Sequence, residues 1–566
     1  MKKLSAYISS AAIVLGFVGN LQAQTQSRGE VQDQEFVIRK DRVLTVPVQP
    51  RVFEKLPILP QPKGLDQFSY TVNFYELNLP PVQLEASPVQ KSFRPERLDL
   101  YPGFLKAGYG NFASPLVEAG FMATEVVDFN YALQLRHQSF GKGPVLGEQS
   151  NESHSNASFD GSYFTDQVEI FGGLGWKQDS YSFYGIDTSV LNDPRIDFAG
   201  IQDNVLNTVQ VHAGIRDIEK VGPVSYEAEL GFRNFKDSYL VQENQISGKA
   251  KGIFRPADNW LGKVGLEYFY TDPVDRDYDV TRTYFAIRPS VGYSTADFSV
   301  TAGINVVSEN DPVPGKSSDF RIFPNFKASY QFAEEFGFYG EFSGDVQRNT
   351  YYSFVQENPF MGPSAQLLNT INNYKVAGGI EGQFLESFNY RAGIDLSRYN
   401  QYHFFVNTPA DTSRFNLVYD DKVTVANLNA ELGYSFSDMY KLTSRLDLFK
   451  YDLNLQQEAW HRPIWKMGLN NQITPIDQLL VQVNINLMGG VKARGNLMET
   501  NVEEPQEYET IKLKTITDLH LKADYKVSDR IGVFAEGNNL LNSRNMRWLN
   551  YPVRGVQLIG GVWLKF

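Results

Sequence analysis

From Gly103 onward the polarity of the chain flips at every residue. In the stretch 426–436, Ala426, Leu428, Ala430, Leu432, Tyr434 and Phe436 share one face, and Asn427, Asn429, Glu431, Gly433 and Ser435 share the other. Trp260, Gly262, Val264, Leu266, Tyr268 and Tyr270 oppose Lys263, Gly265 and Glu267 in the same way. A period of two belongs to strands and not to helices. These alternating segments run for about 10–16 residues, longer than the usual strand of a soluble protein. Turn signals recur near Val127, Asp166, Ile218, Ala257, Ala296, Glu334, Glu386, Asp438, Ile476 and Ser528. Longer irregular loops lie between them, such as 179–203, 307–318, 348–370 and 492–508. Short turns on one side and long loops on the other are the pattern of an outer-membrane barrel. Ten turns joining strands in pairs, with a first and a last strand added, predict an all-β, transmembrane antiparallel β-barrel of about 22 strands, range 18–22. Repeats of about 40–50 residues also fit propeller blades, but no blade signature recurs and the strands are too long.

Composition supports that pattern. The chain carries 40 Phe and 31 Tyr, yet its mean hydropathy is −0.33. Many aromatics without overall greasiness suit walls that are apolar on one face only. The net charge of −12 argues against nucleic acid as a partner. Cysteine is absent, which excludes disulfides, thiolate metal sites and cysteine nucleophiles.

The beginning of the chain reads differently. Lys2 and Lys3, the apolar run Ala11–Gly19 and the small residues of Leu21–Ala23 predict a signal peptide over 1–23. Residues 24–102 hold ten of the 27 prolines. Proline blocks both helix interiors and sheet ladders, so this proline-rich segment is predicted to be extended, periplasmic or luminal, with the barrel spanning 103–566.

The C-terminal stretch Ile531–Phe566 resembles the end of TonB-dependent outer-membrane receptors. The resemblance is carried by Gly537-Asn538-Asn539-Leu540-Leu541-Asn542 and by Gly561-Val562-Trp563-Leu564-Lys565-Phe566. It implies a 22-stranded barrel in the outer membrane of a Gram-negative bacterium, in contact with outer-membrane lipid. It also implies a last strand read by the barrel-assembly machinery, so that Phe566 serves insertion as well as packing. On this reading Val556, Leu558, Val562, Leu564 and Phe566 face lipid in a barrel-closing strand. The resemblance stops at the other end. Full receptors carry a plug of well over a hundred residues, whereas 24–102 is shorter and shows no such motif. Glu35–Val48 fits a TonB-contacting box poorly. The expected function is a TonB-receptor-like barrel passing an unidentified solute, with TonB or another envelope protein meeting residues 24–102. The alternative is a structural or accessory barrel subunit that docks partners.

Candidate chemistry is sparse, and neither an enzyme nor a cofactor is expected. His137 and Ser139 are oriented like the pair of outer-membrane phospholipase, but the Asn-Gly that follows it there is missing. Asp275, Asp277 and Asp279 alternate like calcium ligands, yet Val280 and Ala286 occupy the positions where a calcium loop needs Gly and Glu. No metal is expected. Lys512, Lys514, Asp518, His520, Lys522 and Asp524 share one face of a predicted strand over 511–526 and are expected to line the lumen, because charges facing lipid cost roughly 2–4 kcal/mol each at mid-membrane. Tyr434, Phe436, Tyr440 and Tyr525 suit an interfacial girdle.

Overall fold

The computed structural model describes residues 101–566 apart from 127, 186–200, 219–221, 240, 276–277, 314–317, 364–365, 386, 409–410 and 498–506. The signal peptide, nearly all of the proline-rich segment and Asp277 therefore lie outside the described residues. No helix among the described residues is long and apolar enough to cross a membrane.

Alternation of side chains dictates a sheet with two unlike faces, and the sheet closes on itself. Twenty-two antiparallel strands form the wall, from Gly103–Gly110 to Gln557–Lys565. The first strand pairs with the second, Ser114–Val126, on one side and with the last strand on the other, with Gly108 opposite Gly561. Beyond the last strand, Phe566 and Gly103 exchange two backbone hydrogen bonds of 2.9 Å each. Asn111 fastens the far end of this seam, donating from Nδ2 to the Val556 carbonyl at 2.7 Å and accepting the Leu558 amide at 2.9 Å. Closure leaves no edge strand with unpaired backbone groups, which hydrocarbon would not tolerate.

Ten tight connections sit at one end of the wall, each where a turn signal is read in the sequence, from the turn after Val126 to the turn after Lys526. The long connections sit at the other end. Three of these form hairpins that leave the wall: Tyr402–Thr408 with Asp411–Asp420, Lys492–Leu497 with Tyr508–Lys512, and Met546–Trp548 with Tyr551–Pro552. A fourth carries the helix Tyr351–Glu357, opened by a capping box between Thr350 and Ser353.

One strand departs from its predicted extent. Residues 511–526 do not form one strand: Lys512 ends a hairpin strand, 513–515 are irregular, and the wall resumes at Ile516. Leu513 and Ile516 have opposite parity, yet both are buried with Met488, Val491, Ala493 and Leu549. Burying both on one side breaks the alternation. Lys512 and Lys514 therefore stand outside the wall, which corrects their expected place in the lumen-facing row.

Outward positions are apolar and exposed along the wall, for instance Leu230, Leu428, Leu432 and Leu558. Aromatics gather near the tight turns, with Tyr434 and Tyr440 rings 6.1 Å apart and Trp260 and Tyr293 rings 5.0 Å apart. Inward positions are polar and carry ion pairs from strand to strand.

Candidate functional site

The wall encloses a cavity of about 2990 Å³. Its lining begins at the tight turns, with Ala296, Glu334 and Leu385, and ends under the long loops, with Tyr352, Gln356 and Tyr402. The register of the strands sets its charge pattern. Glu381, Arg391, Glu431 and Arg445 stand directly opposite one another on four successive strands. Arg391 meets Glu381 at 2.7 Å and Arg445 meets Glu431 at 2.5 Å. Elsewhere Arg216 forks onto Glu169 through two bonds of 2.5 and 2.6 Å, and Arg288 reaches both Glu267 and Asp345. Both signs alternate around the lumen. Such a wall stays wet and electrically balanced, and each exposed pair adds little to stability.

The mouth at the long-loop end is closed by a second core. Tyr181, Leu206 and Phe235 come from the fifth, sixth and seventh strands. Tyr351, Phe354, Val355 and Phe360 come from the connection after the thirteenth, Phe405 and Phe415 from the hairpin after the fifteenth, and Trp548 and Tyr551 from the hairpin before the last. Segments rooted so far apart on the ring can share one core only across the mouth. Phe360 stacks on Tyr551 with ring centroids 3.5 Å apart, and Trp548, fully buried, has Phe405 at 5.2 Å and Phe415 at 5.4 Å.

A half-buried ionic knot ties this cap together. Glu357, at the end of the helix, accepts Arg462 Nη1 at 2.6 Å and His403 Nε2 at 2.9 Å. Arg462 Nη2 donates to the His403 carbonyl at 3.0 Å. The three residues belong to three different connections of the rim. His403 Nε2 stands between the Glu357 carboxylate and Arg462 Nη2, which is 2.8 Å away, and its buried Nδ1 has no hydrogen-bond partner among the described residues. Burial holds its pKa below the usual value despite the adjacent carboxylate. Burial alone would raise the Glu357 carboxyl, but Arg462 and His403 outweigh it and hold it well below the usual carboxylate range. Nearby, burial pushes His461 down to about 3; its Nδ1 bonds the Phe405 carbonyl at 2.8 Å. None of these residues stood out in the sequence, since they come from separate loops without periodicity.

The residues singled out in the sequence fall into three groups. Leu558, Val562, Leu564 and Phe566 are exposed on the outer face at the seam, and Val556 lies just before the strand. Asp518, His520, Lys522 and Asp524 lie on the face opposite exposed Leu521 and Tyr525. There Lys522 pairs with Asp524 at 3.1 Å and His520 hydrogen-bonds Asn538. The rest do not come together. His137 Nδ1 is 2.8 Å from Ser155 Oγ. The Asp275 amide donates to the Tyr278 carbonyl, and Asp279 forms a bridge with Val274. Among the described residues, no group of three or more His, Cys, Asp or Glu side chains is placed to hold a metal ion.

No protein-family model matches the chain, and no curated protein matches it in sequence. Solved structures do match. The FrpB iron transporter from Neisseria meningitidis aligns with a TM-score of 0.63 at 12% identity, covering 82% of this chain and 81% of its own. The siderophore receptor PirA from Acinetobacter baumannii aligns with a TM-score of 0.61 at 12% identity, covering 82% and 80%. The ferric-catecholate import receptor Fiu from E. coli aligns with a TM-score of 0.60 at 9% identity, covering 82% of each chain. These neighbours are transport receptors rather than enzymes. At such identities the likeness is one of fold: the 22-stranded barrel of this chain aligns with the barrels of these structures.

Proposed function

We propose that this protein is a receptor-type barrel of the Gram-negative outer membrane that passes a solute through its lumen and carries out no chemistry on it. The observation that carries this reading is the continuous charged cavity running from the tight-turn rim to the underside of the cap. A wall that only anchored a scaffold has no need of a wet interior of that size. In this reading residues 1–23 are removed on export and the tight turns face the periplasm. The seam residues Leu558, Val562, Leu564 and Phe566 face lipid and present the last strand to the assembly machinery. Residues 24–102 enter the lumen in place of a conventional plug, or meet TonB or another envelope protein below it.

The rival reading is an accessory barrel that docks partners. It draws on the cap, whose private hydrophobic core seals the mouth where a receptor must admit its ligand. Uptake in a strain lacking the gene separates the two. The transport reading expects one class of solute to lose uptake and to regain it on complementation. Unchanged uptake of every class, with other envelope proteins co-purifying, establishes the rival.

A further inference from the structure

Arg348 opens the long connection that carries the helix Tyr351–Glu357, and Arg233 lies on the wall strand Val224–Lys236. The two guanidinium groups meet at one acceptor. Gln245 Oε1 takes Arg233 Nη2 at 3.0 Å and Arg348 Nη1 at 2.6 Å. Each group also lies against an aromatic ring, Arg233 4.0 Å from the centroid of Tyr352 and Arg348 3.9 Å from that of Phe269. Both line the cavity directly below the cap.

The nearby carboxylates are already committed. Glu243 is fully buried and accepts Arg233 at 3.0 Å and the Tyr351 amide at 2.8 Å. Asp311 holds Arg282 through bonds of 2.7 and 2.9 Å. Arg348 reaches neither, and its hydrogen bond goes to a neutral amide. Arg233 Nε has no acceptor among the described residues. Burial, with Arg233 alongside, pushes the Arg348 guanidinium down to about 10, because the one nearby carboxylate, Glu243, is shared with Arg233 and does not offset them. A guanidinium presents five donors in a fixed fork that matches the oxygens of a carboxylate or phosphate. Here two guanidinium groups that line the cavity are held within the span of two hydrogen bonds and braced by aromatic faces.

We propose that Arg233 and Arg348 form an oxyanion site under the cap that holds a carboxylate or phosphate group of the passing solute. Calling the ligand a solute rests on the transport reading; the binding itself does not. Full-length protein purified from membranes into detergent is titrated calorimetrically at low salt with malonate and, separately, with inorganic phosphate. One binding event per barrel is expected for at least one probe. Binding of malonate alone marks a carboxylate ligand, and binding of phosphate alone a phosphate ligand. Arg348→Gln is expected to weaken that binding about tenfold or more, the usual loss on removing a charge-assisted hydrogen bond. Arg233→Lys keeps the charge but loses the fork, and is expected to weaken it too. Lys263→Gln, elsewhere on the cavity wall, serves as the control and is expected to bind as the parent does. A heat-dependent shift on a gel checks that each variant is folded. Folded variants that bind as tightly as the parent, or a parent that binds neither probe, overturn the site. Loss of the transport reading with binding intact leaves it standing.

Discussion

Replacing Glu357 by Gln opens the cap while leaving the wall closed. The substitution keeps the size of the side chain and removes only its charge. Arg462 is then a guanidinium buried among His403, Tyr402 and Tyr451 without its carboxylate. Losing the charge-assisted hydrogen bonds of this half-buried pair costs roughly 1.5–3 kcal/mol. Because the three tied residues sit on separate connections, that cost falls on the closed arrangement of the loops and not on the ladder of backbone bonds. At about 1.4 kcal/mol per decade, the balance between closed and open cap moves by roughly one to two orders of magnitude. Limited proteolysis reads this directly: the hairpin 402–420 is cut much faster in the variant, while the heat-dependent gel shift of the barrel is retained. Cleavage at the parental rate contradicts the role given to Glu357.

Acid acts in the same direction. His403 and His461 are held below their ordinary value of 6.5, so the unfolded cap binds more protons than the folded one beneath that pH. Their contribution is fully present above pH 6.5 and is lost as the pH falls from there towards about 3, where His461 titrates. Glu357 is also depressed, so its contribution is present above 4.5 and disappears as the pH falls below it. Arg462 and Arg547 keep their charge throughout this range; Arg462 opposes protonation of both histidines and Arg547 that of His461. Cleavage of the hairpin is therefore expected to accelerate from pH 6.5 downward. The step below 4.5 is absent in Glu357→Gln.

Removing Gln557–Phe566 abolishes the barrel altogether. The last strand pairs over seven positions with the first strand and over eight with Ile531–Asn538. Without it, two edges of backbone N–H and C=O groups face hydrocarbon, each unsatisfied group costing several kcal/mol. No repacking of side chains offsets a loss on that scale. The expected result is a chain that is degraded or aggregated and shows no heat-dependent gel shift. Phe566→Ala is far milder in its structural effect, because the backbone pair between Phe566 and Gly103 survives. Here the expected loss is in the yield of inserted protein, tracking recognition of the terminal aromatic. A folded, heat-shifting product from the ten-residue deletion contradicts closure by this strand.

The wall was legible in the sequence because a barrel in lipid inverts the usual rule without losing its period. Leu428 and Leu432 are exposed to what surrounds the barrel and Glu431 faces its interior, so the alternation stays regular for whole strands. Turn signals then located all ten tight connections. What was not legible lies where the period breaks. The buried pair Leu513 and Ile516 goes with a wall strand that begins at Ile516, five residues later than predicted, which removes the place given to Lys512 and Lys514. The cap was invisible for a related reason. Its core draws residues from connections scattered over more than half of the chain, and its ionic knot joins Glu357, His403 and Arg462 across loops with no local pattern. The same holds for Arg233, Gln245 and Arg348, which only strand register and loop docking bring together.

The absence of cysteine makes the central claim directly testable. Single cysteines placed in turn at positions 426–432 of the wall strand Val423–Phe436 are labelled with a small fluorophore, and the barrel is reconstituted into bilayers containing brominated lipid. A membrane barrel with a polar lumen predicts strong quenching at Leu428, Ala430 and Leu432 and little at Asn427, Asn429 and Glu431, alternating residue by residue. Quenching that is uniform along the strand, or absent from it, contradicts the account.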